Sequence, residues 1–392
     1  MKIIYYGVPP FFRTAYGKNT YNIVKRLKKR GFDVKVVANT GLGGGEPVIY
    51  DGIEVYPKIY YFNDAWSLHS LSYWCKILKP DLVFQHFDLW VLGDKLHKAL
   101  PSGIKYTTYT PIDQYPIIPY MMEDLKHAEI NFAMSRFAER LFKEAGISNV
   151  AYFPHGVDTK IYKPLDEETR KEVRKVYGIE EDAFVFLHVG MNFGSRKNIP
   201  GLLRAFRKFI DMVKAKPGEV YLVLWSYPFR DEFNPNGEDL TIVWKGLGLD
   251  KYIKFPDGES YFRGVREEEM ALIYNMADVF VTASMGEGFG LPIIEAMACG
   301  KPVIGTNFSS IPELVKGCGD LARVAEYISL RLTTGFQAIV DTNHLAELMA
   351  KYYNSPSLVK NRGRRCLEKA KQYDWDLVID KYLVPKLEEI LS

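Results

Sequence analysis

The sequence alternates short apolar runs with longer segments of helical period along its whole length. Strands buried on both faces are continuous apolar runs, and the crossover helices that join parallel strands carry one apolar face. The alternation therefore predicts an α/β fold. The predicted strands are 2–6, 33–38, 81–85, 105–109, 130–133, 184–189, 220–225, 253–255, 279–282 and 302–305. The predicted helices include 19–30, 199–213, 267–276, 293–299 and 343–352.

The alternation is interrupted once, near the sequence Pro-His-Gly-Val-Asp at 154–158 and the polar stretch that ends at Pro164. A chain of 392 residues is long enough for two domains at roughly 100–200 residues each. We therefore predict a first domain over 1–160 and a second over 161–373, each a doubly wound sheet. In such sheets ligands bind at the carboxyl ends of the strands, so we expect a functional cleft between the two halves.

Composition narrows the class of protein further. Hydrophobic residues make up 47% of the chain and charged residues 25%, which is typical of globular proteins and excludes disorder, collagen and simple coiled coil. Lys and Arg (51) barely exceed Asp and Glu (48), so a general nucleic-acid binder is not expected. The four cysteines are too scattered for a disulfide framework. Without a signal-like start or a long apolar run, we expect a cytoplasmic protein, with peripheral membrane contact left open.

The most informative segment is 283–300, which follows a predicted strand and carries three glycines and two glutamates. Pro292 suits the first position of a helix, and free amides at a helix start favour an anion. A buried Glu287 would need hydrogen-bond donors, and sugar hydroxyls are suitable ones. Glu295 lies eight positions later, far enough to reach another part of one ligand. A tight turn with solvated glutamates and paired-carboxylate hydrolysis are the alternatives.

This segment resembles a known signature. Glu287 and Glu295 enclose Gly288-Phe289-Gly290-Leu291-Pro292, and Ala-Met-Ala-Cys-Gly-Lys-Pro-Val-Ile follows at 296–304. The pattern is similar to the glutamate-x7-glutamate motif of retaining nucleotide-sugar glycosyltransferases, glycosyltransferase family 4 (glycosyl transferases group 1). Residues 267–281 and 312–315 resemble the flanking parts of that family, and weaker similarity covers nearly the whole chain.

The resemblance implies a GT-B fold, in which two Rossmann-like domains face a cleft and the last helix, here 374–392, returns to the first domain. It implies transfer of a sugar from a nucleoside diphosphate donor, UDP- or GDP-linked, with retention at the anomeric carbon and with neither a metal nor another cofactor. In this reading Glu295 holds the ribose hydroxyls and Glu287 the sugar hydroxyls. The amides of Gly290 and Leu291 would approach the phosphate or the sugar.

A second loop, 190–198, follows the predicted strand 184–189 and opens a helix. A departing nucleoside diphosphate concentrates negative charge, which fixed cations stabilise in the transition state. We therefore predict that Lys197, and secondly Arg196, neutralises the diphosphate. The family usually carries a basic residue after the first glycine, where this chain has Met191. A basic helix start on the surface is the alternative reading.

Two further loops belong to the first half. The segment 7–19 joins the first strand to the first helix, and the resemblance implies that backbone amides near Gly17 meet the diphosphate; an ordinary turn is the alternative. Asp113 follows the predicted strand 105–109, where many relatives carry a His-Asp pair and this chain has Ile112-Asp113. Asp113 is thus predicted to orient or deprotonate the acceptor hydroxyl. An Asx turn is its alternative, and His86 is the fallback residue.

The expected partners are the donor and a sugar, glycan or lipid-linked acceptor, with no nucleic acid. The apolar stretch 115–122 could line an acceptor pocket, bury a dimer contact or touch a lipid carrier, although loop packing explains it as well. Two other functions stay open at this stage. One is another GT-B activity, such as a sugar-nucleotide epimerase or phosphorylase. The other is a catalytically silent sugar-nucleotide-binding protein, which Met191 and Ile112 favour.

Overall fold

The computed structural model describes residues 1–59, 64–329 and 335–392. The chain divides into two compact units, each with its own sheet. Unit 1 comprises Met1–Gly156 and Trp375–Ser392, and unit 2 comprises Val157–Asp374. The units therefore divide between Gly156 and Val157, whereas the sequence analysis placed the division after residue 160. In the described part of the chain, no helix is both long and apolar enough to cross a bilayer.

Unit 1 is built on an eight-stranded sheet in the order β3-β4-β2-β1-β5-β6-β7-β8. Its strands are β1 (Lys2–Gly7), β2 (Asp33–Ala38), β3 (Val48–Tyr50), β4 (Ile53–Tyr56), β5 (Leu82–His86), β6 (Lys105–Thr110), β7 (Ile130–Ala133) and β8 (Val150–Tyr152). Its helices are α1 (Ala15–Lys29), α2 (Leu68–Leu78), α3 (Leu96–Ala99), α4 (Met122–His127) and α5 (Arg136–Glu144). All neighbouring strands are parallel except β3, which runs antiparallel to β4 at the sheet edge.

Helix α1 shows why the crossover segments fold as they do. The side chain of Thr14 caps its start by accepting a hydrogen bond from the amide of Gly17, and Lys28 and Lys29 occupy its last turn, where the helix dipole favours cations. One face of the helix is buried, including Ile23 and Leu27. The helix begins at Ala15 rather than at the predicted residue 19, because the Thr14 cap was not recognised in the sequence.

Unit 2 is built on a six-stranded parallel sheet in the order β11-β10-β9-β12-β13-β14, with a separate antiparallel hairpin. Its strands are β9 (Phe184–Val189), β10 (Val220–Trp225), β11 (Ile253–Lys254), β12 (Val279–Val281), β13 (Val303–Thr306), β14 (Asp320–Ala322) and the hairpin strands β15 (Val324–Ser329) and β16 (Phe336–Val340). Its helices are α6 (Glu167–Val176), α7 (Ile199–Val213), α8 (Leu240–Gly246), α9 (Gly258–Arg263), α10 (Glu267–Met276), α11 (Leu291–Ala298), α12 (Ile311–Val315), α13 (Thr342–Tyr353) and α14 (Pro356–Ala370). Apolar side chains of β9, β10, α7 and α13 form a core cluster of this unit.

The C-terminal residues belong to unit 1. They form α15 (Trp375–Val378), a π-helical turn (Ile379–Leu383) and α16 (Val384–Leu391). Arg30, at the end of α1, donates to Asp380 at 2.8 Å and to Asp376 at 3.2 Å. Buried apolar side chains, among them Trp375 and Leu383, complete the packing. The segment therefore packs onto unit 1 through both apolar contacts and ion pairs.

The predicted α/β class is confirmed, and all ten predicted strands occur within one residue of their predicted bounds. Six of the described strands were not predicted: β3, β4, β8, β14 and the two hairpin strands β15 and β16. β3 is only three residues long and exposed throughout, and β15 is mostly exposed, so neither carries the buried apolar pattern on which the prediction relied.

Candidate functional site

Two loops of unit 2 meet at the carboxyl edge of its sheet. One follows β9 and the other follows β12, and these strands are parallel neighbours at the centre of the sheet. Parallel strands place their carboxyl ends at the same edge. The amide of Met285 donates to the carbonyl of Arg196 at 2.8 Å, which ties the two loops together. The segments that the sequence analysis singled out separately, 190–198 and 283–300, thus form one site.

Glu287 is the carboxylate that contacts the two cations of this site. Its Oε1 lies 2.5 Å from Lys197 Nζ, and its Oε2 lies 3.3 Å from Arg196 Nη1, which also donates to the carbonyl of Gly286 at 2.8 Å. The residue is only 9% exposed. Burial by itself raises the pKa of Glu287, but the charges of Lys197 and then Arg196 outweigh it and lower the pKa to about 2. The carboxylate is therefore ionised at neutral pH.

Two serines after β13 hold the Glu287 loop in place. The hydroxyl of Ser309 accepts from the Glu287 amide at 2.8 Å. The hydroxyl of Ser310 is shared between the carbonyls of Glu287 and Phe289, each at 2.8 Å. Sequence reasoning missed both serines, although their position after the predicted strand 302–305 was an available signal. Because three of the Glu287 loop's backbone groups have partners, the carboxylate is held at a fixed place.

Glu295 lies on α11, which begins at Leu291 rather than at the predicted residue 293. Gly290 precedes the helix with φ +103°, a conformation that favours glycine. The amides of Ile293 and Ile294 donate to the carbonyl of Gly290 at 2.9 and 3.3 Å, and Pro292 has no amide hydrogen, so an anion at this helix start would meet the amides of Gly290 and Leu291. Glu295 is 5% exposed and accepts from the hydroxyl of Tyr274 at 2.7 Å. The two glutamates thus have different partners, and Tyr274 is a site residue that the sequence did not reveal.

His188, the fifth residue of β9, is a further residue missed from the sequence. It is 1% exposed, and its Nδ1 lies 3.0 Å from the carbonyl of Val281. Burial lowers its pKa to about 4, so the ring is neutral and Nδ1 carries the proton. Nε2 has no hydrogen-bond partner among the described residues. A Cβ at Gly190 would come within 2.8 Å of Nε2, so glycine is required where the loop leaves the strand.

The structure corrects the predicted secondary structure at Gly17, whereas the predicted role of its backbone toward the diphosphate stays a hypothesis. The residue lies in the first turn of α1, not in an open loop, and its amide donates to Thr14 Oγ1 at 3.2 Å. A Cβ at this position would lie 2.1 Å from the carbonyl oxygen of Phe12. The glycine is therefore required by the close approach of the preceding loop, and its amide already has an acceptor.

The acceptor-side candidates also belong to unit 1. Asp113 follows β6 and is half-buried, next to the buried Ile112. His86 ends β5, is 0% exposed, and its Nδ1 lies 2.5 Å from the hydroxyl of Tyr5. Burial lowers the pKa of His86 well below its usual value. His86 is thus a packed, neutral residue, while Asp113 keeps its predicted role as a hypothesis.

In the described ranges of the chain, no three His, Cys, Asp or Glu side chains are grouped so as to hold a metal ion. The site's charges are instead those of Glu287, Lys197 and Arg196.

Residues 183–326 match the family model of glycosyl transferases group 1, and this range contains both loops of the site. Two curated proteins are similar over longer ranges. N-acetyl-alpha-D-glucosaminyl L-malate synthase of Bacillus anthracis is 28% identical over 227 residues, which cover 58% of this chain and 50% of that protein. O-antigen chain mannosyltransferase B of Escherichia coli is 27% identical over 289 residues, 70% of this chain and 67% of that protein. The match thus spans about half the length of the first relative.

Solved structures resemble the whole chain. Sucrose-phosphate synthase from Thermosynechococcus elongatus has a TM-score of 0.77 at 17% identity, covering 100% of this chain and 99% of that one. Anabaena HepE, solved in complex with UDP and glucose, has a TM-score of 0.73 at 17% identity, covering 99% and 100%. These similarities show the fold, which is GT-B. Together with the match of residues 183–326 to the family model, they make the group 1 glycosyltransferases the family that this chain resembles.

Proposed function

We propose that this protein transfers a sugar from a nucleoside diphosphate donor to an acceptor hydroxyl with retention at the anomeric carbon. The observation that carries the proposal is the contact of Lys197 and Arg196 with Glu287 at the carboxyl edge of the unit 2 sheet. This edge is where open α/β sheets bind ligands, and it lies within the range that matches the family model.

The cations would act on the leaving group. Breaking the bond between sugar and diphosphate leaves negative charge on the bridging oxygen, and Lys197 is placed on a loop that Asn198 fixes. Asn198 Oδ1 accepts from the amide of Gly201 at 3.1 Å and so caps α7. A cation held in place before the reaction stabilises the transition state without reorganisation.

Glu287 would change partners when the donor binds. In the ligand-free protein both of its oxygens contact cations, so the diphosphate must compete with this carboxylate for Lys197 and Arg196. Once the cations turn to the diphosphate, the Glu287 oxygens can accept from sugar hydroxyls. The Glu287 carboxylate thus neutralises one of the two positive charges, and donor binding would exchange this carboxylate for the diphosphate as the partner of the cations.

Glu295 would hold the nucleoside. Its carboxylate accepts from Tyr274, and ribose hydroxyls are donors of the same kind. Gly290 and Leu291 lie at the start of the same helix, and their amides would contact the phosphate or the sugar. In unit 1, Asp113 would orient the acceptor hydroxyl, a role suited to a half-buried carboxylate.

The similar proteins support this choice of substrates. HepE was solved with UDP and with UDP-glucose, and several relatives are named mannosyltransferases. We therefore propose a UDP- or GDP-linked hexose as the donor and a sugar, glycan or lipid-linked sugar as the acceptor, with no metal taking part.

The test is a thermal-shift screen of UDP-, GDP- and ADP-sugars, followed by a transfer assay with the stabilising donor. A selective ligand raises the unfolding temperature as its concentration rises above its dissociation constant. Lys197→Met should abolish transfer, whereas Lys208→Met, an exposed lysine on α7, should leave it unchanged. Nuclear magnetic resonance of the product should show the donor's anomeric configuration. If no sugar nucleotide stabilises the protein, or if Lys197→Met transfers sugar at the parent rate, the proposal is wrong.

A further inference from the structure

Unit 2 carries a basic groove at the sheet edge opposite the candidate site. Its cavity of ≈ 650 Å³ is lined by residues that include Lys316, Cys318, Arg364, Arg365, Glu368 and Lys369. The segment 316–318 lies between α12 and the start of β14, and β14 runs parallel to β13. The groove thus adjoins the amino ends of these strands, whereas Glu287 lies beyond a carboxyl end.

Among the residues that the structure describes, the cations that line this groove outnumber its carboxylates. In the part of the chain that the structure describes, neither Arg364 nor Arg365 forms an ion pair. Lys369 Nζ donates to the carbonyls of Glu313 at 2.6 Å and of Lys316 at 3.1 Å, which carry no net charge. The one carboxylate of the lining, Glu368, is bonded to Lys371 at 2.7 Å. Four cations therefore surround the groove without a matching set of anions.

We propose that this groove binds a soluble anion that carries several phosphate groups. Like charges held close together repel each other, and a multivalent anion between them would convert that repulsion into attraction. The guanidinium groups of Arg364 and Arg365 suit phosphate because each can donate two parallel hydrogen bonds. The cavity volume is also in the range of small-molecule sites, about 300–1,000 Å³.

The lining of the groove favours a soluble ligand over a membrane surface. Helices that bind at a membrane interface bury an apolar face among the lipids. Here the lining side chains are charged, polar or small, and none of the exposed large hydrophobic residues lines the cavity.

Calorimetric titration with sodium tripolyphosphate tests the proposal. The titrations use the full chain carrying Lys197→Met, which weakens anion binding at the candidate donor site. Adding Arg364→Gln and Arg365→Gln should weaken tripolyphosphate binding about tenfold or more, because charge-assisted hydrogen bonds are lost. Adding Lys360→Gln, an exposed residue of the same helix, should change the affinity less than about twofold. Equal affinity in all three proteins would overturn the proposal.

Two further measurements show where the ligand binds and distinguish a soluble polyphosphate from a lipid surface. Hydrogen exchange should slow at 316–318 and 364–372 when tripolyphosphate is added; protection confined to 190–198 would overturn the proposal. Cosedimentation with phosphatidylglycerol vesicles should not depend on Arg364 and Arg365. Vesicle binding that needs both arginines, in a protein that does not bind tripolyphosphate, would assign the groove to a lipid surface instead. Unchanged thermal unfolding of the double variant confirms that it is folded.

Discussion

Replacing Lys197 by methionine should destabilise the ligand-free protein as well as inactivate it. Methionine keeps much of the lysine's length but removes the charge that lies 2.5 Å from Glu287. The carboxylate would then be buried with Arg196, at 3.3 Å, as its remaining cationic partner. Removing one partner of a buried ion pair costs about 3–5 kcal/mol. We expect the variant to lose stability at the lower end of this range, because Arg196 still neutralises part of the charge.

A double-mutant cycle isolates the interaction itself. The shift of the Glu287 pKa from 4.5 to about 2 corresponds to about 3 kcal/mol, with Lys197 as the larger of the two favourable charges. Combining Lys197→Met with Glu287→Gln should therefore cost about 2 kcal/mol less than the sum of the single changes. The replacement of both charges leaves neither one buried alone.

The free energy of urea unfolding of unit 2 at neutral pH is measured for the four proteins of the cycle. Lys208→Met is the control for the loss of an exposed lysine. If the two changes are additive within about 0.5 kcal/mol, Lys197 and Glu287 do not interact as the structure indicates, and the reasoning is wrong.

Three other predictions follow from particular contacts. The pKa of Glu287 is lowered in the folded state, so the ionised carboxylate contributes its full stabilisation above about pH 4.3 and loses it as the pH falls toward 2. The difference in free energy of unfolding between the parent and Glu287→Gln, measured by urea unfolding across this pH range, should therefore become smaller as the pH falls. Gly17→Ala should destabilise unit 1 by about 1–3 kcal/mol in thermal unfolding, since its Cβ would meet the carbonyl of Phe12 at 2.1 Å. Glu295→Gln should weaken nucleotide binding about tenfold in calorimetry, whereas Tyr274→Phe should reduce it less, because only one hydrogen bond to the carboxylate is lost.

Matched controls make these outcomes decisive. If the Glu287 carboxylate is unpaired, the difference in stability between the parent and Glu287→Gln should not change with pH. Gly246→Ala, in α8 with open space at its Cβ, should leave stability unchanged or slightly raised. A Gly17→Ala protein as stable as Gly246→Ala would contradict the close approach of Phe12 to the start of α1. Glu268→Gln, an exposed residue of α10, should bind nucleotide like the parent, and equal binding by Glu295→Gln would remove Glu295 from the site.

The central strands could be predicted because burial on both faces leaves a continuous apolar run in the sequence. β9 and β10 were found with their bounds unchanged for this reason. The hairpin β15–β16 is held by cross-strand pairing, and most of β15 is exposed. Such pairing imposed no apolar pattern on β15, so the sequence of that strand contained no comparable signal.

The site was partly predictable for a topological reason. Parallel neighbours end at one edge, so loops after β9 and β12 had to meet once both strands were identified. The partners that fix each carboxylate were not predictable. Tyr274 reaches Glu295 from α10, and Ser309 reaches the Glu287 backbone from the loop after β13. Both contacts depend on how separate elements pack, which no local pattern encodes.

The most direct test is a crystal structure of the protein with the nucleoside diphosphate that stabilises it best. The account predicts the diphosphate within hydrogen-bond distance of Lys197 Nζ, the ribose on the carboxylate of Glu295, and Glu287 separated from Lys197. A nucleotide bound elsewhere, with the Lys197–Glu287 contact still at 2.5 Å, would contradict the account.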